Sequence, residues 1–256
     1  APALALADPP LPGGGAAPAR GRGAPAERAA FFAAMQPLPP LPYARDEGRA
    51  AVRHLGPGSL LRTGDDASEA FLKKAPRFGL YHFAAHALLD DERPERSGVV
   101  LAPGARDQDG LLQAREIAEL DLRGAVVVLA SCRSASGVVL RGEGVMGLAR
   151  AFFQAGAHAV VASLWPLRDD EAEALFASFY RRLGGGASLA AALRAAQTER
   201  LRAGAPAAAW AGLVVLGDGE LVTARARPAR RWIAGAVLAA FAAGALLFAA
   251  RRGGVG

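Results

Sequence analysis

Cysteine is almost absent from this sequence. Cys132 is the single one among 256 residues, which excludes an intrachain disulfide and any disulfide-stapled scaffold. A lone thiol fits a reducing compartment, and its plainest reading is a small buried hydrophobe. An initiating Met is missing too: the first residue is Ala, so the chain is expected to be the C-terminal part of something longer. The opening APALALADPP lacks a charged n-region and breaks at Pro9-Pro10, so no secretory signal peptide is expected. No internal repeat is evident.

The body of the chain also lacks net charge. The formal charge is +6, but Arg225, Arg227, Arg230, Arg231, Arg251 and Arg252 all flank one apolar segment near the end, and they alone equal that excess. Without a basic footprint on the globular part, nucleic acid is not an expected partner. The length suffices for one sizeable core.

What is present is an alternation of apolar runs and helical stretches. Residues 2–7 (PALALA) read as a strand, followed to about residue 27 by a Pro/Gly/Ala-rich loop or spacer. The segment 36–42 (QPLPPLP) is an extended entry stiffened by proline. Helical periodicity covers 46–55, a short strand is expected at Leu60-Leu61, and 65–74 reads as a helix with an Asp66/Glu69 capping box. Strands follow at 79–84, 98–101, 125–130, 159–164 and 212–216. Helices are expected at about 113–119, 144–156, 169–183 and 187–202, with Asp169-Asp170 capping the third. Continuous apolar strands alternating with helices indicate an α/β sandwich, a mainly parallel sheet covered on both faces.

From Trp232 to Ala250 nineteen residues carry no charge. At 1.5 Å per residue they reach about 28 Å, against a bilayer core of about 30 Å. Trp232 and the flanking Arg pairs are typical membrane-interface anchors. A buried soluble helix is the alternative, but it would have no polar face. The expectation is one C-terminal transmembrane helix. Four arginines precede it and two follow, which places the preceding domain on the cytoplasmic side. The small residues Gly235, Ala239 and Ala243, four apart, offer a weak helix-packing signal.

Sites in open α/β sheets lie beyond the carboxyl ends of the strands. Strand 79–84 runs into His86, and strand 125–130 runs into Cys132. Taken singly, the histidine is a structural hydrogen-bonder and the cysteine is core. Together they are a base and a nucleophile: imidazole takes the thiol proton and thiolate attacks an acyl carbon. They are 46 residues apart, near the spacing of about 50 that caspases show. A His82/His86 metal pair is set aside, because an i, i+4 pair converges on a helix and this stretch reads as a strand. No cofactor is expected. Gly142, Gly144 and Gly147 fit a dinucleotide spacing but do not directly follow a strand.

Longer stretches carry a resemblance. YHFAAHALLD (81–90), SGVVLAP (97–103), DGLLQAREIAELDL (109–122), VVVLASCRSASG (126–137) and GEGVMGLARAFFQAGAHAVVASLWPL (142–167) resemble the CHAT domain. That is a family of bacterial caspase-like and separase-like peptidases, often fused to TPR repeats. The similarity runs from about Pro37 to Leu216, with an outlying piece at 3–9. It implies a caspase-like three-layer sandwich and a cysteine endopeptidase acting on a protein substrate, with a TPR or sensor region upstream. By position, His86 is the general base, Cys132 the nucleophile and His82 a non-catalytic packing histidine. The backbone amides of Ala87 and Cys132 are the expected oxyanion donors. Two departures stand out: Ala87 replaces the family's usual glycine, and Arg133 replaces an acid after the cysteine.

Weaker substrate-binding candidates are Glu143, Trp165 and Asp90. Their plainer readings are a helix cap, core packing and a solvated turn. The expected organisation is 1–36 N-terminal strand and loop, 37–217 peptidase domain, 218–231 basic juxtamembrane linker, 232–250 transmembrane helix and 251–256 tail. The chain thus reads as a membrane-anchored cysteine endopeptidase in bacterial signalling or defence. The competing reading, motivated by Ala87 and Arg133, is an inactive pseudo-peptidase serving as a membrane-tethered binding module.

Overall fold

A computed structural model describes residues 1–10, 38–90, 94–104, 108–134 and 143–223, with 131–134 and 143–145 described by their backbone alone. Residues 11–37, the segment 135–142 after Ser134 and the predicted span 232–250 therefore lie outside the described residues. Among the described residues, no helix is long and apolar enough to cross a membrane.

The elements in chain order are β1 (Ala3–Ala7), α1 (Ala44–His54), β2 (Leu60–Thr63), α2 (Glu69–Lys74), β3 (Leu80–Leu89), β4 (Gly98–Val100) and β5 (Leu111–Gln113). They continue with α3 (Ala114–Ile117), β6 (Val126–Ser134), α4 (Glu143–Gln154), β7 (Ala159–Ser163), α5 (Asp169–Gly184), α6 (Leu189–Arg202) and β8 (Leu213–Gly217). One mixed sheet runs in the order β2-β1-β3-β6-β7-β8. Its first five strands are mutually parallel, and β8 closes the far edge antiparallel to β7. The antiparallel pair β4–β5 attaches to the upper part of β3, beyond the end of β1.

Both faces are covered, as continuous apolar strands require. Leu4, Leu6, Phe83, Val127 and Leu129 pack with Phe152 and Leu148 of α4 and Leu72 of α2. The opposite face joins Ala3, Ala5, Val126, Val128 and Val161 to Phe176, Phe179 and Tyr180 of α5, with α1 and α6 beside them. Alanines on β1 leave room for α1 to lie close, and Gly48 completes that fit. A β-carbon there would sit 2.6 Å from Leu61 Cδ1 and 3.3 Å from Ala7 Cβ.

Three local expectations change. Strand β3 does not end at Ala84 but continues through His86 to Leu89. Alanine and histidine are weak strand formers, yet β6 on one edge and β4 on the other pair this stretch. The helix expected over 65–74 begins only at Glu69, and its cap is Ser68, whose Oγ accepts from the Phe71 N–H. Glu69 is instead buried, accepting from the Gly110 N–H at 2.9 Å and pairing with Lys73. Asp169 is likewise the first residue of α5 rather than its cap.

Candidate functional site

At the carboxyl ends of β1, β2 and β3 the strands part. β1 is followed by Asp8, which turns with φ 50°, and β2 is followed by Gly64, with φ 58°. Left-handed backbone suits glycine and is tolerated by aspartate. The Gly64 N–H donates to the Asp8 carbonyl at 3.0 Å, tying the two strand ends together. Strand β3 runs on past both. The gap left beside it is a cavity of about 270 Å³ whose wall includes Asp8, Pro9, Pro40, Leu41, Arg45 and His86. Arg45, in the first turn of α1, donates from Nε to Asp8 Oδ2 at 2.6 Å.

His86 is buried, with its ring on the cavity wall. Nε2 lies 2.9 Å from the carbonyl oxygen of Pro39. A carbonyl only accepts, so Nε2 carries the proton and Nδ1 is the ring's basic nitrogen. Pro39 sits in the run 38–42, where Pro-rich backbone has few N–H donors for a sheet but keeps its carbonyls.

The neighbouring strand brings the backbone of Cys132 alongside. From Leu80↔Val126 to Phe83↔Leu129 the two strands pair at an offset of 46 residues, and from His86↔Ser131 to Leu89↔Ser134 at 45. Between Phe83 and His86, β3 spends three steps where β6 spends two, which is a β-bulge at Ala84-Ala85. His86 therefore pairs in register with Ser131, and Cys132 pairs with Ala87. With strands about 4.8 Å apart and a rise of about 3.3 Å per residue, the Cα atoms of His86 and Cys132 are roughly 6 Å apart. The Cys132 side chain lies outside the description. Ala87 is not among the positive-φ residues, so replacing glycine there imposes no left-handed strain.

Four residues before His86, His82 is fully buried under the same face. Its Nδ1 is 2.8 Å from the Tyr180 hydroxyl, and its Nε2 is 3.4 Å from Glu47 Oε2. The rings of Phe176 and Tyr180 meet it edge-on. Burial pushes the His82 pKa down to about 3. Burial pushes Glu47 well above the usual carboxylate range, and Asp169 and Glu173 add to the effect. A charge in this dry pocket is costly, so both groups are held toward their neutral forms.

Among the described residues, the weaker candidates Trp165 and Asp90 do not line the cavity. Trp165 donates from Nε1 to the Ala208 carbonyl at 2.8 Å, and its ring lies against Gly212, so it fastens β7 to the start of β8. Asp90 directly follows β3, with its N–H donating to Ser97 Oγ at 3.0 Å. Glu143 opens α4, and its side chain lies outside the description. The sequence reading missed Asp8, Arg45 and the Pro39 carbonyl. The rule that selected His86, a position just past a parallel strand end, also points to Asp8.

The CHAT domain family model matches residues 5–218. The chain belongs to the CHAT domain family. That family is related to caspase-like cysteine peptidases. Tetratricopeptide repeat protein 28 of Homo sapiens is 34% identical over 113 residues, covering 43% of this chain and 4% of that protein. Its Mus musculus counterpart is 34% identical over 112 residues, covering 42% of this chain and 4% of that protein. This CHAT chain thus matches TPR-containing proteins, but spans only about 4% of their length. Among solved structures, the complex of Porphyromonas gingivalis RgpB pro- and mature domains aligns with a TM-score of 0.47 at 10% identity. That alignment covers 88% of this chain and 48% of the other.

Proposed function

We propose that this CHAT domain is a cysteine endopeptidase on a caspase-like three-layer sandwich, with His86 as base and Cys132 as nucleophile. The observation that carries the proposal is the Nε2–H bond from His86 to the Pro39 carbonyl. It fixes the tautomer a general base needs and holds the ring beside the cavity of about 270 Å³. In the proposed sequence, His86 Nδ1 takes the Cys132 thiol proton and the thiolate sulfur bonds to the scissile carbonyl carbon. The resulting oxyanion is met by the backbone N–H groups of Ala87 and Cys132. The C–N bond then breaks as the imidazolium gives its proton to the departing amine. Water then attacks the thioester carbon as His86 takes one of its protons, the C–S bond breaks to release the carboxylic acid product, and the imidazolium returns its proton to the departing thiolate.

The cavity beside His86 would receive part of the protein substrate, with Asp90, Glu143 and Trp165 as outlying contacts. Family membership and the TPR-containing relatives support an upstream TPR or sensor region. The arginine-flanked run 232–250 supports anchoring in the cell membrane with the peptidase domain on the cytoplasmic side. A role in bacterial signalling or defence extends that reading.

One observation favours a second reading, an inactive membrane-tethered binding module: the bulge puts Ser131 rather than Cys132 in register with His86. A thiol-reactive peptide probe separates the two. Labelling lost in both Cys132→Ala and His86→Ala supports the peptidase, and labelling untouched by His86→Ala indicates an ordinary thiol. A proteome-wide search for new protein N-termini, comparing cells with the intact protein and with Cys132→Ala, would then identify substrates.

A further inference from the structure

We propose that Glu47, His82 and Tyr180 form a buried proton-sharing array that positions the base of the site, with Glu47 as its controlling residue. The inference rests on the peptidase reading above and assigns these residues a role beneath the reacting groups. None of the three reaches the cavity wall, so none is a catalytic residue.

The array joins three elements. Tyr180 comes from α5, His82 from β3 and Glu47 from α1, and all three are buried. Proton placement follows from the contacts. The one acceptor that the Tyr180 hydroxyl meets among the described residues is His82 Nδ1, at 2.8 Å. Tyr180 therefore donates to Nδ1, and a neutral imidazole then carries its proton on Nε2. That N–H faces Glu47 Oε2 at 3.4 Å. Neither atom has an ordinary hydrogen bond among the described residues, and two desolvated polar atoms left this way draw each other in. Two acidic groups of α5, Asp169 and Glu173, also face Glu47 electrostatically and oppose its ionisation.

The route to the site is short. Ala84, the first residue of the bulge, packs against Ala44 of α1 on this same side. Glu47 and Ala84 both line a small gap between α1 and the sheet. Helix α1 is thus seated on β3 by the Glu47–His82 contact at one point and by Ala44–Ala84 at the next. The segment entering α1 supplies the Pro39 carbonyl that orients His86. Its Tyr43 N–H is held by Asp169 Oδ2 at 2.6 Å. Loosening Glu47 from His82 shifts the seat of α1, and the Pro39 carbonyl moves with it.

Two measurements on the full chain test this. Nitrogen-15 NMR of the native protein reads the His82 tautomer with no substitution: a protonated Nε2 and a bare Nδ1 are expected, and the reverse overturns the array. The second is the pH–rate profile of Cys132 alkylation by iodoacetamide, clean because the chain has no other cysteine. Glu47→Gln is expected to slow alkylation roughly 10- to 100-fold, the scale of a misplaced catalytic group, and to displace the profile, at an unchanged far-UV spectrum. Glu47→Asp is expected to recover part of the rate. If His86→Ala slows alkylation while Glu47→Gln leaves rate and profile as native, the positioning role fails and the peptidase reading stands. If His86→Ala itself leaves alkylation unchanged, the peptidase reading fails, and the positioning role falls with it.

Discussion

His86 stands opposite Ser131, while Cys132 stands opposite Ala87, because β3 carries one residue more than β6 between Phe83 and His86. The offset below that bulge equals the 46-residue spacing of His86 and Cys132 along the chain. Two ideal strands would have placed them directly side by side. The bulge instead makes them diagonal neighbours, and bulges are a common means of re-aiming a side chain next to an active site. Probe labelling is expected to vanish in Cys132→Ala and to fall at least roughly 100-fold in His86→Ala, the scale of general-base catalysis. Ser131→Ala is expected to stay within a few-fold of native. A Ser131→Ala loss as large as that of His86→Ala would shift the nucleophile's partner to the register position.

The Pro39 carbonyl cannot be removed by a side-chain change, but its rigidity can. Pro39→Gly restores backbone freedom to the unfolded chain and is expected to cost about 0.4–1 kcal/mol of stability. The loss in probe reactivity should be larger than that stability change accounts for, since the carbonyl would no longer be held at Nε2. Chemical denaturation and labelling rates measured side by side would show whether the two effects separate.

Glu47 and His82 titrate with opposite signs. Glu47 has a folded pKa well above its ordinary value near 4.5, so its contribution is complete below that value and is lost as pH rises through the folded pKa. His82 is lowered from 6.5 to about 3, so its contribution is present above pH 6.5 and is lost as pH falls toward 3. The two oppose each other between about 4.5 and 6.5. Glu47→Gln should flatten the loss of the urea midpoint that Glu47 contributes as pH rises from about 4.5 through its raised folded pKa. Equal slopes in the two proteins would remove Glu47 as its source.

Arg45 and Asp8 are 51% and 37% exposed along their side chains, so solvent screens their ion pair. Arg45→Ala is expected to change stability by less than about 1 kcal/mol. The pair nevertheless forms one wall of the cavity, and charged peptide probes should register its loss. A change in preference between acidic and basic probes, at nearly constant stability, is the expected result, and an unchanged preference would place substrate elsewhere.

Gly48 sets how closely α1 can lie on the sheet. Gly48→Val drives atoms toward Leu61 and Ala7 and is expected to cost about 1–3 kcal/mol. Because α1 carries Glu47 and Arg45, alkylation of Cys132 should slow more than in a variant of equal stability altered on α6. Thermal denaturation paired with alkylation rates provides that comparison.

The alternation of apolar runs with helical stretches was enough to establish a mostly parallel sheet covered on both faces. That pattern reflects burial, which residue type alone reports. That His86 and Cys132 follow two apolar strand runs was legible for the same reason, but β3 and β6 both run past them, to Leu89 and Ser134. The length of β3 was not, since Ala84 to Leu89 holds its strand conformation only because β4 and β6 flank it. The bulge, the Pro39 carbonyl on His86, and Glu47 under His82 were equally hidden. Each depends on contacts between segments 35 to 47 residues apart, brought together by a sheet in which β1 inserts between β2 and β3. Residue identity by itself determined the layers and the two groups capable of chemistry. Only the tertiary structure decided which atoms hold the His86 ring and which residue stands opposite it, because register and long-range hydrogen bonds depend on packing rather than on local pattern.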